Sequence, residues 1–514
     1  MTTAAIHEPN LTFQAIPDIV RRRAREGPDR VALVCGDERM SYGQLDALMD
    51  RVAASLQRDG LKPGDVIAIC ANTSTRYGGV FLGALRAGAA VAPLAPSATA
   101  GQLASMLAIA QARCLFADAA GAGLVATGAA ERCIALDGTL AERELEAWMM
   151  PESSLPAPVA IQPDWAFNIV YSSGTTGAPK GIVQSHERRW LHVARLANYN
   201  YGPQTVALLA TPMYSNTTLV VFFPTLAAGG KVVLMPKFDA KGYLDLAQQH
   251  RVTHTMLVPV QYQRIMALPQ FESYDLSSFQ LKFCTSAPFS PRLKADVLNR
   301  WPGGLIEFYG TTEGGATCIF SAHERPDKLH TIGKPAPGCD IRLIDDEGRE
   351  LPPGETGEIV GHSNAMMAGY YRQPGETRSA EWFDATGKRF IRSGDIGCFD
   401  ADGFLVLVDR KKDMIISGGF NVYPSDLEAA LRQHPAVADV AVVGVPSEQW
   451  GETPVAYVVR RPGSGDDEAT LLQWLNSRVG KTQRVAAMHL IEELPRSAIG
   501  KVLKRDLRNL HLGR

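Results

Sequence analysis

The sequence predicts an α/β protein: a large N-terminal domain of α/β layers with parallel-rich sheets, followed by a small C-terminal α+β domain. Three observations lead there. Short apolar runs alternate with amphipathic helical patterns from about residue 15 onward. The 514 residues, at about 150 residues per domain, leave room for about three domains or for one large α/β domain with a companion. A short charged run, Asp409-Arg410-Lys411-Lys412-Asp413, reads as an exposed boundary rather than core, so the domains are expected at 1–409 and 410–514.

Taken in order, Ile16–Glu26 is periodic and amphipathic, Val31–Cys35 is a short β-rich run, and Ser41 precedes a helical pattern that reaches Gly60. Val66–Cys70 reads as a buried strand and Val80–Ala87 as a helix stopped by Gly88. Pro156 and Pro158 mark a loop before the strand Ala166–Tyr171, and Pro352-Pro353-Gly354 turns the chain between the β-rich segments Ile341–Ile344 and Gly357–Val360. Beyond the charged boundary come a strand at Met414–Ile416, a helix starting near Pro424, strands at Val437–Val445 and Val455–Val459, and a helix at Ala469–Val479.

Composition excludes several classes. With 52 Lys+Arg against 54 Asp+Glu the net charge is −2, so no global basic field tracks nucleic acid or an anionic membrane. The eight cysteines are scattered without a C-x-x-C or C/H cluster, which argues against a disulfide scaffold or a zinc site. The N-terminus lacks a basic then apolar leader, and Arg86 and Pro224 interrupt the longest apolar stretches before a membrane span is reached. The expected location is cytoplasmic, with no integral membrane contact. The oligomeric state stays open, a homodimer among the options.

The most informative segment is Tyr171-Ser172-Ser173-Gly174-Thr175-Thr176-Gly177-Ala178-Pro179-Lys180-Gly181. Following a predicted strand, it offers hydroxyls, backbone N–H groups freed by glycine and one cation, the parts of a phosphate cradle. It is not the Walker arrangement, because Gly181 follows Lys180 where that motif needs Ser or Thr. Four further motifs lie downstream: Tyr309-Gly310-Thr311-Thr312-Glu313, Arg392-Ser393-Gly394-Asp395, Asp409-Arg410-Lys411-Lys412-Asp413 and Arg496-Ser497-Ala498-Ile499-Gly500-Lys501.

In these five motifs the chain resembles the adenylate-forming superfamily of acyl- and aryl-CoA synthetases, luciferases and peptide-synthetase adenylation domains, and the resemblance spans nearly its whole length. It implies a two-step reaction on ATP, Mg²⁺ and CoA: a carboxylic acid attacks the α-phosphate to give an acyl-adenylate, and a thiol then takes the acyl group. By resemblance, Ser172, Ser173, Gly174, Thr175, Thr176, Gly177 and Lys180 would hold the β- and γ-phosphates, with Thr176 counted among the catalytic residues. Thr312 would contact the α-phosphate and Glu313, otherwise an ordinary solvated carboxylate, would bind Mg²⁺. Tyr309 with Gly310 and Thr311 would flank the adenine, Ser286, Ala287 and Pro288 forming its opposite edge. Asp395, an acceptor-only side chain, suits a bidentate grip on the ribose hydroxyls, and Arg410 would add a second contact.

The resemblance also makes Lys501 the lysine that reaches the acyl-phosphate junction during adenylation, Lys412 the hinge at 410–413 and the small domain mobile. Gly418, Gly419, Trp450, Lys481 and Arg484 would form the CoA edge, with buried packing an equal alternative for Trp450. Val485 stands where the family usually has proline. The acid pocket is expected from Tyr214, Ser215, Asn216, Thr217, Cys284, Phe308, Gly310, Gly315 and Ala316. None of these carries a charge, which disfavours an amino acid whose ammonium would go unpaired. Ser215 stands where histidine is common, and Asn216 and Thr217 could hydrogen-bond a ring hydroxyl.

His186 reads as a satisfied helix-start residue rather than a base, and Cys284 and Cys318 as packing rather than nucleophiles. The expected function is therefore an AMP-forming ligase joining an uncharged aromatic acid to CoA, with a ring hydroxyl on that acid as one option. Medium-chain fatty acids are an alternative substrate, and a carrier protein's phosphopantetheine an alternative acceptor. An oxidative luciferase-like enzyme and a nucleotide-sensing binding protein are more distant rivals.

Overall fold

The computed structural model describes residues 12–121, 132–138, 144–173, 179–417, 420–497 and 500–513, with only the backbone of Ser172, Ser173 and Thr482. The chain divides into two compact units, one of residues 1–340 and 361–391, the other of 341–360 and 392–514.

In the first unit a nine-stranded sheet forms around six neighbouring parallel strands: Gly304–Gly310, Leu281–Cys284, His254–Leu257, Val206–Leu209, Lys231–Leu234 and Val31–Cys35. Antiparallel strands close both edges, Thr317–Ser321 and Lys334–Pro335 on one side and Glu38–Ser41 on the other. A six-stranded sheet is parallel from Cys133–Ala135 through Cys114–Ala117, Val66–Cys70 and Ala90–Leu94 to Ala166–Ser173, and ends on the antiparallel strand Pro179–Ser185. Parallel strands covered by helices are buried on both faces, which is why Val66–Cys70 is apolar throughout.

The helices Tyr42–Arg58, Thr75–Arg86 and Asn216–Ala227 share one apolar core with strands of both sheets. Ser41 starts the first of them as expected, its hydroxyl accepting from Gln44 N while the Gln44 side chain accepts from Ser41 N. The second helix starts earlier than Val80: it runs from Thr75, capped by Ser74. Every residue from Thr75 to Arg86 except Arg76 is buried, so the polar stripe that makes a helix visible in sequence is missing.

The second unit carries a sheet ordered Phe420–Val422, Ile415–Ser417, Gly451–Arg460 and Val437–Ser447, with Ala487–Leu490 parallel to Gly451–Arg460. The helices Pro424–Leu431 and Glu468–Asn476 cover it. Both long strands exceed their predicted spans, because Pro446 and Pro454 look like strand ends in sequence yet sit within the paired ladder. In the same unit Leu405–Arg410 pairs antiparallel with the second half of Arg389–Phe399, placing Asp395 opposite Arg410. Among the described residues no helix is long and apolar enough to cross a membrane.

Candidate active site

Ligands of open α/β sheets gather beyond the carboxyl ends of parallel strands, and three predicted segments meet that condition on adjacent or near-adjacent strands of the large sheet. Tyr214–Thr217 follows Val206–Leu209, Ser286-Ala287-Pro288 follows Leu281–Cys284, and Thr311-Thr312-Glu313 follows Gly304–Gly310. Ser286 holds a left-handed backbone, φ 79°, a costly conformation for a residue with a side chain. Its hydroxyl meets that of Thr217 at 2.8 Å, tying two of the segments together.

The Thr311–Ala316 turn is held by backbone. Met367 N donates to Glu313 O at 2.7 Å and Gln184 Nε2 to Thr312 O at 3.2 Å. Gly315 has φ 84°, and a Cβ there would stand 2.4 Å from Gly361 O; one on Gly361 would stand 2.1 Å from Ala316 N. Neither position admits a side chain while the turn keeps its place. Gly361→Ala should therefore displace Thr312 and Glu313 and lower the AMP-forming turnover that the resemblance implies by roughly tenfold, read as AMP release at saturating ATP and acid. An unchanged rate would show that the turn does not depend on this approach.

Glu313 is half-buried, and its Oε1 accepts from the Tyr370 hydroxyl at 2.9 Å. The Tyr370 ring also lies 5.2 Å from the Lys180 ammonium, which ion-pairs with Glu376. Lys180 and Glu313 are thus linked through one aromatic residue. Burial first, then the Glu313 and Glu376 charges, push the Tyr370 hydroxyl well above its ordinary range, so it stays a donor. Tyr370 and Glu376 were not among the expected site residues: they fall outside the five motifs, and only folding brings them here.

Ser172 and Ser173 end their strand opposite Lys180 and Pro179. Gly174, Thr175, Thr176 and Gly177 lie outside the described residues, as do Gly418 and Gly419.

Among the expected pocket residues, Cys284 and Ala316 are buried, and Phe308 packs edge-on to Tyr199 at 5.8 Å and tilted against Phe283 at 5.6 Å. Burial drives the Cys284 thiol far above its usual range, which leaves it inert. Ser215 caps the helix Asn216–Ala227, accepting from Thr217 N. The Tyr214 hydroxyl, its pKa raised chiefly by burial, engages Ser97. Asn216 Oδ1 is enclosed and has no hydrogen-bond partner. His186 does start a helix, but both ring nitrogens lack partners, and burial lowers its pKa to about 4. It is a neutral ring packed on Phe167 at 4.9 Å rather than a satisfied residue.

The second unit brings together Asp395, Arg410, Lys412 and Lys501. Asp395 is 3% exposed and pairs with Arg410 Nε at 2.7 Å. Lys501 ends a tight loop in which Ser497 N donates to Lys501 O at 2.8 Å and Arg496 Nη1 to Gly500 O at 2.6 Å. The residue is exposed, yet the protein around its ammonium and the cations Arg410 and Lys412 outweigh Asp395 and Asp413 and lower its pKa to about 8. Trp450 is 51% exposed rather than buried, next to Gly451, which pairs with Ser417. Lys481 and Arg484 are also exposed. Val485 N donates to Asn476 Oδ1 at 2.9 Å, a bond that proline at this position would lose.

Among the described residues no three carboxylate, histidine or cysteine side chains converge on a metal. A single carboxylate such as Glu313 suits Mg²⁺, which keeps several waters and binds through substrate phosphates plus one or two carboxylates.

Comparison with known proteins agrees across the chain. The family described as AMP-binding enzyme matches residues 20–371, and its C-terminal domain matches 426–501. The 4-coumarate–CoA ligase-like 9 of Oryza sativa subsp. japonica is 33% identical, the match covering 96% of this chain and 92% of that protein. A feruloyl-CoA synthase of Amycolatopsis sp is 34% identical over 95% and 97% of the two chains. The ATP-bound crystal structure of MatB from Rhodopseudomonas palustris superimposes with a TM-score of 0.85 at 28% identity, covering 97% of this chain and 99% of that one.

Proposed function

The chain belongs to the AMP-binding enzyme family, and from that premise we propose that it is an AMP-forming carboxylate–CoA ligase acting on a hydroxylated aromatic acid. The observation that carries the reading is the gathering of acid-pocket, adenine and Thr312–Glu313 segments beyond the carboxyl ends of neighbouring parallel strands. The names of the relatives, ligases of coumarate and ferulate, support the acid class.

In this reading Asp395 and Arg410 hold the ribose, Tyr309 and Ser286–Pro288 the adenine, and Ser172–Lys180 the terminal phosphates. Thr312 donates to the α-phosphate. Mg²⁺ carried on the phosphates would be held by Glu313 and supply charge neutralisation there. Tyr370 orients Glu313 by donating to one oxygen, leaving the other for the ion. The acid's carboxylate attacks the α-phosphorus, pyrophosphate leaves, and Lys501 stabilises the charge that develops at the acyl-phosphate junction. The CoA thiolate then displaces AMP, with Gly418, Gly419, Trp450, Lys481 and Arg484 assigned to the CoA edge and Lys412 to the hinge between the two steps.

Asn216 carries the preference for a hydroxylated ring, since its enclosed Oδ1 gains a partner when a phenol O–H enters. Asn216→Leu should shift the kcat/KM ratio of hydroxylated over unsubstituted acids by about tenfold toward the unsubstituted one. If the ratio does not move, Asn216 does not read the ring.

The decisive experiment is mass spectrometry of products after incubation with Mg²⁺-ATP, CoA and a pool of benzoates, hydroxycinnamates and fatty acids. A dominant hydroxyaryl-CoA with equimolar AMP is expected. A fatty acyl-CoA would overturn the acid class, and acyl-adenylate without thioester would overturn CoA as acceptor.

A further inference from the structure

The helix His186–Ala194 buries two consecutive arginines, Arg188 at 6% and Arg189 at 1% exposure. Their situations differ. Arg189 donates through Nε and Nη2 to Asn168 Oδ1 at 3.2 and 3.1 Å, with its guanidinium 5.8 Å from the Phe167 ring and Nη1 left enclosed. Arg188 Nε and Nη1 are enclosed and have no hydrogen-bond partner. The one charge that favours its cationic form is Glu313, whose Oε1 is taken by Tyr370. Burial lowers the Arg188 pKa only to about 10, so at pH 7 it is a buried cation with donors to spare.

Its place along the helix locates the missing anion. Arg188, His192 and Arg195 are spaced i, i+4 and i+7 and share one helical face. At the Arg195 end the chain passes straight into the turn Leu196–Tyr199, whose Tyr199 ring packs on Phe308 at 5.8 Å. At the Arg188 end, Ser185 accepts from Arg188 N at 3.2 Å and the preceding Gln184 donates through Nε2 to Thr312 O at 3.2 Å. This face therefore runs beside the Phe308–Thr317 segment that forms one wall of the acid pocket, with Arg188 at the end where Thr312 and Glu313 stand and where the reacting carboxylate must lie. Ser215, at the opposite wall, already serves as a helix cap.

We infer that Arg188 binds the carboxylate of the acid to be activated, through the two guanidinium donors that the fold leaves unpaired, and sets it for attack on the α-phosphate. The planar guanidinium matches a carboxylate in a bidentate fork. An entering carboxylate ends the cost of a buried unpaired cation and is itself spared an unpaired burial. This assignment rests on the ligase reading for the identity of the anion.

The test is calorimetric binding to the full-length protein without CoA, using ferulate, its neutral primary amide and ATP as separate probes, for the unaltered protein, Arg188→Gln and Arg188→Lys. The unaltered protein should prefer ferulate over the amide, and Arg188→Gln should weaken ferulate by about a hundredfold while the amide and ATP are unchanged. Arg188→Lys, which keeps the charge without the fork, should fall between and guards against a variant that fails to fold. Preserved carboxylate preference in Arg188→Gln would overturn the assignment, as would absence of that preference in the unaltered protein. Loss of ATP affinity with ferulate unchanged would overturn it in favour of a phosphate contact. Failure of the ligase reading shows separately: ferulate preference that depends on Arg188, without AMP release from any acid in the pool, keeps the anion site and removes the reaction.

Discussion

Lys501→Ala should lower acyl-adenylate formation by about 10²–10³-fold and leave thioester formation from supplied acyl-adenylate largely intact. The asymmetry follows from the chemistry. In the first step negative charge accumulates as a carboxylate meets a phosphate, and a lysine ammonium at that junction is worth most in the transition state. In the second step AMP is already a good leaving group. The loop that presents Lys501 is fixed by main-chain bonds and by Arg496, itself paired to Asp439 at 2.5 Å, so truncating the side chain leaves the loop standing.

A pH dependence follows from the same residue. Lys501 titrates at about 8 rather than the ordinary 10.5, chiefly through desolvation and then through Arg410 and Lys412. A lysine with a lowered folded-state pKa penalises the folded state below about pH 8, where it is charged in both states. That penalty fades as pH rises toward 10.5, but the adenylation step needs the cation. Adenylation kcat/KM, which reports the free enzyme, should therefore fall above about pH 8, and the thioester step should not share that limb. Equal loss of both half-reactions in Lys501→Ala, or a shared alkaline limb, would remove Lys501 from its assigned role.

Lys294→Met should be the most destabilising of the single changes considered, by about 3–5 kcal/mol. Lys294 and Glu307 are buried, with Nζ and Oε2 2.5 Å apart, and Lys294 also donates to Leu329 O at 3.0 Å and Thr331 O at 2.9 Å. Removing the lysine strands a buried carboxylate on a strand of the large sheet. Glu307 sits three residues before Gly310 on the strand that delivers Thr312 and Glu313, so the site shares the damage.

Burial already raises the Glu307 pKa against the pull of Lys294. A carboxyl raised in the folded state favours folding less as pH climbs through its titration, and without Lys294 the rise is greater. The deficit of Lys294→Met should accordingly shrink toward acid pH, where Glu307 takes up a proton. Lys294→Met combined with Glu307→Leu should recover much of the loss, since a buried pair and an apolar replacement are often comparable. Thermal melts of the single and double variants across pH decide the matter; a double variant no more stable than the single would show that the carbonyl contacts of Lys294, not the pair, hold this region.

The sequence by itself determined the α/β class and the order of most elements, because alternation of apolar runs with helical periodicity is a local property. Val31–Cys35, Val66–Cys70 and the Ser41-capped helix stand where their patterns put them. It also carried the five motifs by which the chain resembles its family, and the family matched over residues 20–371 and 426–501 is the one they point to.

Tertiary structure alone decided the rest. Nothing near Glu313 in sequence announces Tyr370, 57 residues away, as the donor to its carboxylate, nor Glu376 as the partner of Lys180. The need for glycine at 315 and 361 arises only because two backbones pack so closely that a Cβ on either would stand 2.4 or 2.1 Å from an atom of the other. Arg188 and Arg189 are adjacent and alike in sequence, two charges on one helix. Arg189 finds Asn168 for two of its donors, whereas Nε and Nη1 of Arg188 are enclosed without one, because hydrogen-bond satisfaction is a property of the enclosed neighbourhood, and that neighbourhood is assembled from segments that meet only when the chain has folded.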